Sequence, residues 1–144
     1  MIYTDLTKKA LKLCFEAHKE QVDKTGMPYV FHPFHLAEQM DDELSTVCAL
    51  LHDVIEDTDM TFEKLLNMGF PIEVIDVLKL LTHEDSVPYM DYIKKTATNP
   101  TAKKVKIADL KHNNDTTRLS VIDEKAKKRC EKYNRALDLL LKSN

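Results

Sequence analysis

The run from Leu51 to Asp57, which reads Leu-His-Asp-Val-Ile-Glu-Asp, concentrates the side chains of this sequence that are best suited to chemistry. Two further candidates stand outside it: His32, which precedes a proline, and Asp109, which follows Ile107-Ala108. Imidazole nitrogens and carboxylate oxygens are the ligands that hold hydrolytic divalent metals. The set predicts a mononuclear metal site with acid/base residues beside it.

Helical spacing supports this interpretation of the run. In a helix, residues three and four apart share a face, so Glu56 would lie beside His52 and Asp57 beside Asp53. A solvated helix end explains Glu56 and Asp57 equally well. His52 and Asp53, however, follow the apolar residues Ala49-Leu50-Leu51, and a buried carboxylate is costly without a partner.

The same reasoning applies to the two isolated candidates. Asp109 lies between Ala108 and Leu110, an apolar context in which an unpaired carboxylate is not expected. A lone histidine such as His32 is more often a structural or surface residue than a ligand. One metal site of two histidines and two aspartates explains all four residues together, and we expect its ligands to be His32, His52, Asp53 and Asp109.

The apolar residues recur with helical periodicity over most of the chain. One predicted helix starts at Asp41-Asp42 and carries the His-Asp pair, while Thr25-Gly26 and Pro28 mark a loop before His32. With two glycines and no convincing alternating strand, the sequence predicts an all-α fold, a single bundle of about seven to eight helices. We expect it to form one domain over residues 1–144.

Composition narrows the function classes. The formal net charge of -3 offers no basic surface for nucleic acid. No apolar run is long enough to span a membrane, and no signal peptide is visible, so neither a nucleic-acid nor a membrane partner is expected. The three cysteines have no metal-ligand spacing and are interpreted as reduced core thiols of a cytoplasmic protein. The oligomeric state does not follow from the sequence.

The ordered motifs carry a family resemblance. Lys24-Thr25-Gly26-Met27-Pro28-Tyr29 with His32-Pro33, the run Ala49 to Thr58, and Val105-Lys106-Ile107-Ala108-Asp109 with His112-Asn113 resemble the hydrolase domain of the Rel/SpoT family. That domain belongs to the HD superfamily of metal-dependent phosphohydrolases. The match covers roughly residues 5–141, and a chain of this kind resembles the single-domain small alarmone hydrolases.

The resemblance implies a reaction and its residues. A divalent metal, typically Mn²⁺ although another is possible, is held by His32, His52, Asp53 and Asp109. Glu56 and Asp57 assist catalysis, in which metal-activated water removes the 3′-pyrophosphate of ppGpp or pppGpp in the stringent response. The substrate is a small-molecule nucleotide, and its expected contacts are Lys24, Asn113, Arg129 and Tyr133.

From the residues alone, these contact positions have plainer explanations. Lys24 and Arg129 fit exposed positions, Asn113 fits a helix end, and Tyr133 fits the core stripe of the last helix. Lys106 and Arg118 could also add positive charge near phosphates, with less support.

One position departs from the family. Asp23 stands where the family usually has an arginine that packs on the guanine base, and a carboxylate there is expected to repel phosphate. On this basis Asp23→Arg should improve the affinity for a guanine nucleotide. Two alternatives therefore stay open: an HD-type hydrolase of another nucleotide or phosphorylated metabolite, and a non-catalytic nucleotide-binding regulator.

Overall fold

The structure, a computed structural model, describes residues 1–143; Asn144, the last residue of the predicted domain, lies outside them. Over these residues the chain forms nine α-helices and one 3-10 turn. They are α1 (Asp5–His18), α2 (Phe31–Glu38), α3 (Glu43–Leu51), α4 (Val54–Asp57), α5 (Phe62–Asn67), α6 (Ile72–Leu81), α7 (Tyr89–Thr96), α8 (Pro100–Asn113), the 3-10 turn Thr116–Arg118 and α9 (Glu124–Lys142). The all-α prediction is confirmed.

The helix ends carry the side chains that cap them. Asp42 begins α3 by accepting a hydrogen bond from the Ser45 backbone N–H at 2.7 Å, and Thr61 begins α5 in the same way. Asn99 caps α8, whose first residue is Pro100, a position where the missing N–H costs nothing. These caps satisfy backbone N–H groups at the first turns of the three helices.

Helix α3 is the centre of the main core. Its residues 45–51 are all buried, which fits a helix surrounded by neighbours on every side. It packs against α1, α2, α6 and α8. A second, smaller cluster joins α7, α8 and α9 through Tyr92, Ile93, Leu110, Ala136 and Leu140. Helix α8 contributes to both clusters, so it connects the two sides of the candidate site.

The predicted helix through the His-Asp pair is wrong in one respect: it is divided in two. His52 is the C-terminal cap of α3, and Asp53, with φ −108° and ψ 1°, precedes α4. That backbone conformation lies in the sparsely populated bridge region, where active-site residues are often found. No glycine or proline marks the break, which is why periodicity alone predicts one helix. The division raises the helix count above the seven to eight expected.

The loop between α1 and α2 forms one wall of the site. A single antiparallel bridge joins Val22 to Pro28, and Gly26 turns the chain with φ +83°, a conformation that favours glycine. Asp23 holds the turn, because its Oδ1 accepts hydrogen bonds from the Thr25 backbone and hydroxyl and from the Met27 backbone. The loop is thus an ordered structure.

Candidate metal centre and substrate cavity

The protonation of His52 follows from its hydrogen bond. Its Nδ1 lies 2.7 Å from the Ala49 carbonyl oxygen, which can only accept, so Nδ1 carries the hydrogen. Nε2 then presents a lone pair, and it is buried without a hydrogen-bond partner among the described residues. It faces carboxylate oxygens, 3.0 Å from Asp53 Oδ2 and 3.5 Å from Asp109 Oδ1. Three electron-rich atoms that converge in this way require a proton or a metal cation between them.

The pKa of His52 reports the same negative environment. Burial lowers the pKa of this imidazole, but the charges of Asp53 and Asp109 outweigh burial and raise it well above its ordinary value. A point that attracts a proton this strongly attracts a divalent cation as well. The donor set therefore fits a metal ion.

His32 approaches the same point from α2. Its Nε2 lies 2.9 Å from Asp109 Oδ1, and its Nδ1 lies 2.7 Å from Nδ1 of His112. One of these two Nδ1 atoms must carry the hydrogen. Burial and the neighbouring His32 lower the pKa of His112 to about 4, so His112 is neutral and can accept. When His32 donates, its Nε2 offers a lone pair to the site, and His112 fixes its orientation.

Asp109 on α8 is held at both carboxylate oxygens. Oδ1 accepts from Asn113 Nδ2 at 3.0 Å, and Oδ2 accepts from Lys106 Nζ at 2.8 Å. Burial raises the pKa of Asp109, but Lys106, His32 and His52 hold it well below its ordinary value. Asp109 is therefore ionised at neutral pH.

Lys106 has a larger part in the site than its sequence context indicates. The Lys106 side chain is only 14% exposed, and its ammonium group also lies 5.3 Å from the centre of the Tyr92 ring. Lys106 precedes Asp109 by three residues on one helix, and this spacing is the sequence signal that could have predicted their contact.

Asp53 is oriented by a residue that the sequence reasoning missed. The Tyr29 hydroxyl donates a hydrogen bond to Asp53 Oδ2. Burial raises the pKa of Asp53, but His52 and this hydrogen bond lower it to below its ordinary value. Tyr29 precedes His32 by three residues, and this closeness is the signal that the sequence offers for it.

Three of the four predicted ligands form a compact group. One ligand atom from each of His32, His52 and Asp109 lies within 4.8 Å of the others, and all three residues are buried. Asp53 adjoins the group through His52. Two imidazoles and two carboxylates, supported by Ala49, Tyr29, Lys106 and Asn113, suit a divalent transition metal.

Glu56 and Asp57 lie beside this group, exposed to a cavity. Glu56 Oε1 accepts a hydrogen bond from the His83 backbone N–H at 2.5 Å, and partial desolvation raises the pKa of Glu56. Partial desolvation and the nearby Asp53 charge raise the pKa of Asp57 to about 6. The Asp57 carboxyl group can therefore exchange protons close to neutral pH, and the pKa of Glu56 is shifted in the same direction.

The cavity that these acids face has a volume of about 730 Å³, within the range of small-molecule sites. Asp53 lines it together with both acids, and so do all four predicted substrate contacts: Lys24, Asn113, Arg129 and Tyr133. A smaller cavity of about 130 Å³ also touches Asp53 and Glu56 and is lined by Lys106, Lys132 and Asp109, among others. Of the predicted metal ligands, Asp53 lines both cavities and Asp109 lines the smaller one.

The cations of the large cavity fall into two groups. Among residues 1–143, Lys24 and Arg129 have no carboxylate at ion-pair distance, and burial and then the charge of Arg129 lower the pKa of Lys24. Arg118, in contrast, is paired with Asp23, with 3.0 Å between Nη2 and Oδ2. Arg118 thus compensates the charge of the carboxylate at position 23, a partner that the expected repulsion of phosphate did not take into account.

The cysteines differ from expectation in one case. Cys14 and Cys48 are buried free thiols, whereas the half-buried Cys130 lines the large cavity on α9. No helix of residues 1–143 has the length and apolar character that crossing a membrane requires.

Comparisons with known proteins show what this chain is similar to in sequence and in fold. No family model matches the sequence. The chain is 33% identical over 137 residues to a guanosine-3′,5′-bis(diphosphate) 3′-pyrophosphohydrolase of Aquifex aeolicus, covering 87% of this chain and 19% of that protein. It is 30% identical over 114 residues to the mouse (Mus musculus) protein of the same description, covering 69% of this chain and 63% of the mouse protein. The chain thus spans about a fifth of the first relative and less than two thirds of the second.

A solved structure shares the fold. It belongs to a metazoan orthologue of SpoT that hydrolyses ppGpp, and it superposes with a TM-score of 0.77 at 23% identity, over 100% of this chain and 90% of the other. The homologues of this chain are thus guanosine-3′,5′-bis(diphosphate) 3′-pyrophosphohydrolases by description, and its fold is that of the SpoT orthologue, in line with the resemblance of its motifs.

Proposed function

We propose that this protein is a Mn²⁺-dependent pyrophosphohydrolase that converts ppGpp or pppGpp, with water, to pyrophosphate and GDP or GTP. One observation carries the proposal: the buried, unpartnered Nε2 of His52 converges with two carboxylates beside a cavity of nucleotide size. The relatives named above, which are 3′-pyrophosphohydrolases by description, support the choice of reaction.

In this proposal the metal is held by His32, His52, Asp53 and Asp109, and another divalent ion could replace Mn²⁺. The metal, when bound, lowers the pKa of water and stabilises negative charge on a phosphoryl oxygen. Lys106 keeps Oδ2 of Asp109 occupied, so that Oδ1 is directed to the centre. The Tyr29 hydroxyl donates to Oδ2 of Asp53, the oxygen that faces His52 Nε2, and so fixes the orientation of that carboxylate.

Glu56 and Asp57 move the protons. The pKa of about 6 lets the Asp57 carboxylate accept a proton from water and return it to the leaving oxygen near neutral pH, and the raised pKa of Glu56 favours the same role. The hydrogen bond from the His83 backbone fixes Glu56 Oε1, which leaves the second oxygen available to the cavity. Both residues are proposed as catalytic.

Substrate binding is assigned to residues from three segments. Lys24 on the loop and Arg129 on α9 carry positive charge without an acidic partner among the described residues, which suits phosphate groups. Asn113 and Tyr133 contribute further polar groups to the same cavity. The proposal treats residues 1–144 as one hydrolase domain of a cytoplasmic protein that acts on a small-molecule nucleotide and has no nucleic-acid or membrane partner.

A second candidate is an HD-type hydrolase of another nucleotide or phosphorylated metabolite. It is favoured by the Asp23–Arg118 pair, which gives this cavity a wall that differs from the family pattern. A non-catalytic regulator has less support, because such a protein would not need the acids Glu56 and Asp57 at the cavity.

The test is release of pyrophosphate from ppGpp by the purified protein with Mn²⁺, beside GTP, GDP, deoxynucleoside triphosphates and adenine nucleotides. The proposal predicts turnover of ppGpp that is lost in Asp53→Ala and kept in Asp59→Ala, a matched exposed carboxylate outside the site. Hydrolysis of another nucleotide without ppGpp turnover would favour the second candidate. Absence of hydrolysis, with nucleotide binding retained, would favour the regulator.

A further inference from the structure

The Asp23–Arg118 pair is the feature of the large cavity that the metal chemistry does not use. Both residues line the cavity, although they lie 95 residues apart in sequence. The Asp23 side chain is 14% exposed and the Arg118 side chain 25%, so the pair is largely withdrawn from solvent. An ion pair that is this shielded holds its geometry better than a surface pair does.

Both partners are immobilised by several bonds. Arg118 Nη1 donates to the His112 carbonyl oxygen at 2.9 Å, while Nη2 donates to Asp23 Oδ2 at 3.0 Å. Asp23 cannot turn away, because its other oxygen accepts three hydrogen bonds within its own loop. The guanidinium plane is therefore fixed by bonds that lie at its edge, which leaves its faces available for stacking.

The wall formed by Asp23 and Arg118 differs in net charge from the residues proposed to bind phosphate. The Asp23–Arg118 pair is close to neutral as a unit, whereas Lys24 and Arg129 have no carboxylate at ion-pair distance within residues 1–143. Phosphate groups are attracted to the uncompensated cations. A neutral, flat part of the ligand fits the paired guanidinium better, and the apolar residues Val22 and Leu119, each next in sequence to one partner, line the same cavity.

We propose that Arg118 forms the nucleobase-binding wall of this cavity by stacking its guanidinium plane on a purine base, and that Asp23 is the residue that positions it. The inference rests on the proposed function insofar as the ligand is a nucleotide. It assigns the base to Arg118 and the phosphates to Lys24 and Arg129. The carboxylate at position 23 then supports base binding through Arg118.

Direct binding tests this assignment without depending on turnover. Protein loaded with one equivalent of Mn²⁺ is titrated calorimetrically with GDP and, separately, with pyrophosphate. Arg118→Ala is expected to raise the Kd for GDP about tenfold, the order expected for loss of a stacked cation, and to leave pyrophosphate binding unchanged. Arg129→Ala is the matched control and should weaken both ligands.

Two further variants separate stacking from charge and from folding. Arg118→Lys keeps the charge without the plane and should lose most of the same GDP affinity. Asp23→Asn keeps an Oδ1 acceptor for the loop and removes the acceptor that faces Arg118, so it should weaken GDP binding severalfold with pyrophosphate again unaffected. Asp23→Arg, which the family pattern alone would favour, should now weaken GDP binding because it sets two cations against each other.

The outcomes of these experiments distinguish failure of this inference from failure of the proposed function. Equal loss of GDP and pyrophosphate affinity in Arg118→Ala would make Arg118 a phosphate contact and overturn the inference, as would unchanged GDP binding in a folded variant. If the wild-type protein does not hydrolyse ppGpp but Arg118→Ala selectively loses GDP, the proposed function fails and this inference stands. If ppGpp is hydrolysed and Arg118→Ala binds GDP normally, only this inference fails.

Discussion

Replacing Lys106 with methionine should destabilise the metal-free protein markedly, because it removes the cation that faces a buried carboxylate. Lys106 Nζ lies 2.8 Å from Asp109 Oδ2, and the two side chains are 14% and 6% exposed. Methionine keeps most of the aliphatic volume and cannot donate a hydrogen bond. The substitution therefore isolates the charge.

The magnitude follows from the cost of a buried carboxylate that loses its partner. Breaking such a pair from one side costs about 3–5 kcal/mol. The lower end applies here, since His32 and Asn113 remain within hydrogen-bond distance of the other oxygen of Asp109. A loss of about 3 kcal/mol corresponds to a decrease of roughly 10 °C in Tm for a chain of this size.

The assay is urea and thermal unfolding in chelator, with Lys111→Met as the control on the same helix. Lys111 is exposed, so its substitution should change stability by no more than about 0.5 kcal/mol. The double variant Lys106→Met with Asp109→Asn should recover most of the loss, because the uncompensated charge is then gone. If Lys106→Met alone is as stable as the wild-type protein, Asp109 does not carry the buried charge that the site requires.

Three more predictions concern the site itself. Tyr29→Phe removes the hydrogen bond to Asp53 and should weaken Mn²⁺ binding about 10–100-fold with Tm nearly unchanged; unaltered affinity by calorimetry would show that Tyr29 does not orient the ligand. Glu56→Gln should keep the metal and lower kcat about 10²–10⁴-fold, whereas a wild-type rate would remove Glu56 from catalysis. Thiol labelling at pH 8 should modify Cys130 alone, and GDP should slow it. Burial raises the pKa of Cys14 to about 12 and raises that of Cys48 too, so both thiols should stay unreactive. Equal labelling of all three cysteines would contradict the burial of Cys14 and Cys48.

How far the site could be predicted depended on whether its contacts are local. The contact between Asp109 and Asn113 follows from helical spacing, because residues four apart lie on one face. The meeting of His32 with Asp109 depends on how α2 packs against α8, which no periodicity reports; it was predicted because a single metal site would explain both residues, and the family resemblance agreed. Local pattern and resemblance thus contributed different parts of the site.

The contacts that could not be predicted from the sequence involve buried side chains or residues that lie far apart in the chain. Because a lysine is usually exposed, the sequence does not predict the burial of Lys106. The burial results from the position of α8 between the two hydrophobic clusters. The Asp23–Arg118 pair connects the first loop to the 3-10 turn. The aspartate at position 23 therefore cannot be interpreted from the sequence without its distant partner, Arg118. The break between α3 and α4 is a third case, since tertiary packing overrides the helical pattern there.

Stoichiometric activation by metal tests the central claim most directly. Metal-free protein is titrated with Mn²⁺ while pyrophosphate release from ppGpp is followed, with Asp53→Ala in parallel. The four-ligand site predicts turnover that rises from zero, reaches its plateau at one Mn²⁺ per chain, and is absent in Asp53→Ala. Turnover of ppGpp in the presence of chelator, or an unchanged titration in Asp53→Ala, would contradict the assignment of these residues as the catalytic metal centre.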